Sequence, residues 1–94
     1  MTENIKDDQI PKLSDDLLIR KEDFGFLVFN PKTETVFQTN SVGAEIIHLC
    51  DGKVNIADIS MIITEIFEVE KETAINDVKA FLFELIRLDL IEYV

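Results

Sequence analysis

The sequence predicts a small α+β domain in which a three-stranded antiparallel meander is followed by three helices. Three observations carry this expectation. The hydrophobic pattern changes after Asn40, from short apolar runs to amphipathic segments with a period near 3.6 residues. Turn chemistry at Glu22-Asp23 and at Asn30-Pro31-Lys32-Thr33-Glu34 separates the runs that precede the change. Finally, 94 residues that are 47% hydrophobic, with apolar residues spread from Leu17 to Val94, suffice for one core and leave no room for a separate catalytic domain.

Residues 1–12 are polar and acidic, with Pro11 as the only stiff point, and read as a flexible arm; residues 13–94 form the domain. Leu17-Leu18-Ile19-Arg20 supplies the first strand of the meander. Phe24-Gly25-Phe26-Leu27-Val28-Phe29 supplies the second, which is apolar on both faces and so is expected to be covered on both. The third, Thr35-Val36-Phe37-Gln38-Thr39, is more polar and suits an open edge. The first helix spans about Ser41 to Leu49, with Val42, Ile46, Leu49 and Cys50 on one side and a stop at Asp51-Gly52. Asn55 caps the second, which presents Ile56, Ile59, Ile63, Ile66 and Phe67. Glu70 and Glu72 favour the positive end of the third, which carries Ile75, Val78, Phe81, Leu82, Leu85, Ile86 and Leu88 and ends near Asp89. Leu90 to Val94 then close the chain as a short extended piece. Short gaps between the helices make them neighbours around one core, the winged helix-turn-helix type of architecture.

Composition narrows the function classes. Nine Lys+Arg against 19 Asp+Glu give a formal net charge of -10, which opposes the phosphate contacts that dominate nucleic-acid affinity. The single cysteine allows no internal disulfide, and no Cys/His spacing suits structural zinc, so a reducing cytoplasm fits best. No signal-type run opens the chain, and no stretch approaches the ~20 apolar residues of a membrane helix.

Chemistry-bearing constellations are missing. His48 and Cys50 lie two residues apart on a helix, where side chains diverge and cannot hold a base against a nucleophile. The readings that fit are a core Cys50 and a surface His48 near a helix C-terminus. The acids Asp15, Asp16, Glu68, Glu70 and Glu72 lack apolar flanks that would desolvate one of a pair. Asp51-Gly52-Lys53 has too few acids for a calcium loop, and the isolated Gly25, Gly43 and Gly52 make no phosphate loop. No cofactor and no catalytic activity are expected.

The third helix has an apolar arc too wide for one core stripe. Phe81, Val78, Leu85 and Leu82 occupy one side, while Ile75, Phe83, Ile86 and Leu90 extend it, with Lys79 inside the extension. Covering by the sheet or by a dimer partner is one explanation. The other is a groove with Ile75, Phe83 and Ile86 on one wall and the edge strand Thr35 to Thr39 on the other. Such a groove binds an extended peptide by strand addition: the open backbone gives affinity, and side-chain pockets give selectivity.

The order of these motifs resembles PqqD-like proteins. The resemblance rests on Pro11-x-Leu13, Phe26-Leu27-Val28, the stretch Val36-Phe37-Gln38-Thr39-Asn40-Ser41-Val42-Gly43-Ala44-Glu45-Ile46, and Leu49-Cys50-Asp51-Gly52. It continues through Ile56-x-x-Ile59, Asp77-Val78-x-x-Phe81-Leu82-x-x-Leu85 and Leu90-Ile91, and covers roughly residues 11 to 92. It implies a precursor-peptide recognition module for ribosomally synthesised, post-translationally modified peptides. Such a module binds a leader segment as an added strand between third strand and third helix and hands it to a modifying enzyme, often a radical S-adenosylmethionine enzyme. On this resemblance the leader lies along Thr35, Val36, Phe37, Gln38 and Thr39, facing Ile75, Val78, Lys79, Leu82, Phe83 and Ile86, with Val78 and Leu82 shared with the core. Asp89 stands where the family commonly has glycine, so a different exit from the third helix is expected. The excess of acid suggests a leader that is basic or mostly apolar at its anchors.

Two other readings share this topology. A winged-helix transcription factor needs Lys and Arg on its recognition helix, whereas the third helix mixes Lys71, Lys79 and Arg87 with Glu72, Asp77, Glu84 and Asp89. A small homodimeric scaffold differs only in what covers the wide helix face.

Overall fold

In the computed structural model, which describes residues 5–94, the elements run β1 (Pro11–Leu13), β2 (Leu18–Glu22), β3 (Gly25–Asn30), β4 (Thr35–Gln38), α1 (Ser41–Leu49), α2 (Ile56–Phe67), α3 (Lys71–Arg87) and β5 (Ile91–Tyr93). Strands β2, β3 and β4 form the expected three-stranded antiparallel sheet in that order, and β1 pairs antiparallel with β5 in a second, two-stranded sheet. No described helix is long and apolar enough to cross a membrane.

The turns follow from particular residues. At the β2–β3 hairpin Gly25 has a φ of 147°, and a Cβ there would lie 2.4 Å from the Thr39 carbonyl oxygen, so only glycine fits. After β3, the side-chain Oδ1 of Asn30 accepts from the Lys32 backbone N–H, while its Nδ2 donates to the Asp89 carbonyl. This buried asparagine therefore makes the turn and ties the sheet to the end of α3.

The helices start where their caps sit. Asn40 Oδ1 accepts from Gly43 N–H at α1, and Asn55 Oδ1 accepts from Asp58 N–H at α2. Their apolar sides, with that of α3, meet the inner face of the sheet in a core of Val28, Ile46, Ile47, Ile56, Ile59, Ile63, Val78, Leu82, Leu85, Leu90 and Ile91. Burying each such side chain contributes about 1.5–3 kcal/mol relative to leaving it exposed.

Three expectations need correction. The arm expected over residues 1–12 is docked from residue 5 onward, while its first four residues lie outside the described part. Ile5 is buried in the core, and the Asp7 and Gln9 carbonyls accept from Ala57 and Ile56, whose N–H groups open α2 without intrahelical partners. Pro11 and Ile10 carbonyls accept from Gly52 and Val94, and Leu13 donates to Cys50. Polar side chains concealed this role because the backbone performs it.

The second correction concerns β3, which is covered on one face only. Val28 is fully buried, but Leu27 and Phe29 on the outer face share a shallow apolar depression with Leu18, Ile19, Arg20 and Val36. Leu18 and Val36 are each 62% exposed.

The third concerns the exit of α3. Asp89 adopts the glycine-like left-handed conformation, with φ 58°. Leu90 N–H donates to Leu85 O and Asp89 N–H to Ile86 O, the paired bonds of a Schellman stop, and the Asp89 carbonyl accepts from Ser14 and Asn30. A short polar side chain tolerates this backbone at modest cost, so the exit keeps the shape that glycine would give.

Candidate functional site

β4 is an edge strand, and its register decides which backbone groups are open. Thr39 N–H donates to Phe26 O, and the pairs Val28↔Phe37 and Asn30↔Thr35 follow at steps of two along the same ladder. In an antiparallel pair the bonded residues alternate with residues whose N–H and C=O point away. Thr35, Phe37 and Thr39 therefore face β3, and Val36 and Gln38 present their backbone groups outward. Thr39 is further committed, because its hydroxyl accepts from Phe26 N–H at 2.9 Å.

Side chains alternate the other way. Val36 and Gln38 lie on the outer face, whereas Phe37 turns inward and meets Phe81 of α3, ring centroids 5.8 Å apart and tilted by 56°. Gly43 of α1 lets this happen: a Cβ there would come within 2.9 Å of the Phe81 ring and 3.0 Å of Thr39 Cβ. Phe37, Phe81 and Gly43 thus close the gap between β4, α3 and the start of α1.

The contact with Phe81 orients α3. At about 100° per residue, the flank turned toward β4 carries Asp77, Phe81, Glu84 and Leu88, spaced i, i+4, i+7, i+11. Glu84 is paired with Arg87 at 2.7 Å, and that hydrogen bond holds its carboxyl below the usual range. The opposite flank carries Ile75, Lys79, Phe83 and Ile86. Lys79 forms an ion pair with Asp7, and Ile75 shares a cleft with Asp7, Ala57, Ser60 and Met61. Val78 and Leu82 are fully buried between the two flanks.

The sequence-derived wall is therefore redistributed. Thr35 to Thr39 form the expected edge, but Ile75, Lys79, Phe83 and Ile86 face away from it. Ile75 and Lys79 are used where the docked N-terminal segment and α2 pack, and Phe83 and Ile86 pack against the core. The flank that Phe81 turns toward β4 is hard to read from sequence because two of its residues are acidic and Phe81 itself reads as core. The available signal was the stripe Asp77, Phe81, Glu84, Leu88 itself, together with a glycine inside α1.

The structure does not bring His48 and Cys50 together as a pair. His48 is exposed and Cys50 buried, with its thiol pushed up to about 12 by burial and, secondarily, by Asp51. No group of three or more His, Cys, Asp or Glu able to hold a metal occurs among the described residues.

A three-stranded sheet whose β4 edge has a defined register and lies near a helix flank, on a three-helix scaffold, defines a module of the winged helix-turn-helix type. Residues 25–91 match the family model described as coenzyme PQQ synthesis protein D (PqqD), and the chain belongs to that family. Its fold is shared with a structure titled lasso peptide synthetase B1 complexed with the leader peptide, at 24% identity and a TM-score of 0.76, over 88% of this chain and 98% of that one. TbiB1 in complex with the TbiA(beta) leader peptide is similar at 26% identity and a TM-score of 0.78, over 86% and 94%. The PqqD portion of Methylobacterium extorquens PqqCD, described as a functional stand-alone recognition element for ribosomally synthesised and post-translationally modified peptides, matches at 17% identity, TM-score 0.72, over 87% of each chain. No curated protein matches the chain.

Proposed function

We propose that this protein is a non-catalytic accessory that captures the leader segment of a ribosomally made precursor peptide by strand addition and presents it to a modifying enzyme. The observation that carries this reading is the outward-facing backbone of Val36 and Gln38 beside the Phe37–Phe81 contact. An added strand gains main-chain hydrogen bonds there irrespective of its sequence, and its alternate side chains fall against the α3 flank. Two of the similar structures hold leader peptides, which supports the same use of the fold here. The receiving enzyme belongs on this reading among radical S-adenosylmethionine enzymes, the partner class that the family resemblance implies.

The charge of -10 opposes DNA, and the charge left unpaired among the described residues on the α3 flank near β4 is the acid Asp77.

The test is an amide-resolved NMR titration of labelled protein with synthetic leader segments of short precursors encoded beside its gene, with duplex DNA as control. Saturable shifts centred on Val36 and Gln38 and on Asp77 to Leu88 are expected with a leader and absent with DNA. Shifts with DNA alone would refute the reading.

A further inference from the structure

Just past the C-terminal end of β4 an open depression of about 440 Å³ lies between α1 and α3, lined by Asn40, Val42, Gly43, Ile46, Asp77, Ala80 and Phe81. Its floor is apolar and aromatic, and Asp77 is its single charged group. The other acid on this flank, Glu84, is already neutralised by Arg87, whereas Asp77 forms no ion pair among the described residues. The Asn40 Oδ1 already accepts from Gly43 N–H, which leaves Asp77 as the acceptor for a cation here. One carboxylate therefore borders a mostly apolar depression next to the end of β4.

Only one type of side chain satisfies both parts. A purely aliphatic residue would cover the floor and leave the carboxylate without a partner. An acidic residue would meet Asp77 and a chain of net charge -10. Lysine and arginine have a long apolar stem to lie over Val42 and Ile46, with a cation at the tip. The tip can reach the carboxylate while it borders the Phe81 ring, whose face attracts cations. Taking the peptide-binding reading as given, we infer that this depression is a basic-residue subsite in which Asp77 selects a Lys or Arg of the leader. Strand pairing is blind to sequence, so Asp77 is a specificity-determining residue and the edge of β4 is not.

The experiment is an in vitro display selection of random 12-residue peptides on the full chain, on Asp77→Asn and on Asp77→Lys. Asp77 is exposed on α3, and melting curves confirm that each variant folds before it is used. The intact protein should enrich Lys or Arg at one fixed position, Asp77→Asn should lose that enrichment, and Asp77→Lys should replace it with Asp or Glu. For one selected peptide, replacing the basic residue by norleucine should weaken binding about fivefold in low salt, and the same replacement should have no effect on Asp77→Asn. Peptides that bind along Val36 and Gln38 without a basic bias, or a bias that survives Asp77→Asn, overturn the subsite and leave the peptide-binding reading standing. Failure to enrich any peptide overturns both.

Discussion

Proline placed at successive positions of β4 should separate the two ladders that this one strand can serve. At Gln38 the lost N–H points away from β3, and an edge strand accepts proline there, so the fold should persist while leader affinity falls by about 1 kcal/mol or more. At Phe37 the lost donor faces β3 and the ring packed on Phe81 is lost with it, which should cost about 3 kcal/mol or more of stability. Urea denaturation and calorimetric titration of both variants separate the effects; equal behaviour would mean that the register is misassigned. The same logic distinguishes two phenylalanines of α3. Phe81→Ala should weaken leader binding by about 1–2 kcal/mol, and Phe83→Ala should leave affinity unchanged, since Phe83 lies on the flank turned from β4. Titration well below each variant's melting temperature is the measurement, and a binding defect confined to Phe83→Ala would restore the wall read from sequence.

At the scale of elements, α3 is held at both sides and at its end. Its end is where sequence and backbone disagree most, because Asp89 occupies a left-handed position with φ 58°. Asp89→Gly removes that cost while keeping the carbonyl that receives Ser14 and Asn30, so it should raise stability by about 0.5–1 kcal/mol. Urea midpoints test it, and a loss of stability would show that the aspartate side chain contributes more than the backbone conformation costs. The docked segment before β1 belongs to this scale too. It supplies carbonyls to the start of α2 and the acid that pairs with Lys79, which is why the apolar and basic residues on that side of α3 are consumed by the fold.

For the whole molecule, alkaline pH is the condition that probes the core. The folded-state Cys50 thiol, at about 12, lies above its ordinary value of 9.0, so the fold favours the protonated form. That contribution is intact below pH 9 and is lost as pH rises from 9 toward 12, by at most about 1.4 kcal/mol per pH unit. Tyr93, raised by burial and by Cys50, acts in the same direction. Urea midpoints at pH 8, 9.5 and 10.5 should fall progressively, and a flat profile would mean that the thiol ionises without penalty.

Much of this molecule was legible from residue order alone. Period, caps and turn residues located the sheet, the three helices and the open edge at Thr35 to Thr39, because each depends on neighbours within a few positions. The glycine-like exit at Asp89 is not legible in the sequence, since the bonds from Ser14 and Asn30 that hold its carbonyl come from residues far away in the chain. The flank of α3 that borders β4 was also out of reach. A wide apolar arc is compatible with two rotations of the helix, and the choice rests on distant partners: Phe37 and Gly43 on one side, Ile5 to Gln9 and α2 on the other. Sequence thus determined the elements and the existence of an unpaired edge, through local hydrogen bonding and periodicity. Tertiary packing decided what faces that edge, because only the folded chain brings Phe37 and Gly43 against Phe81 and the N-terminal segment against the other side of α3.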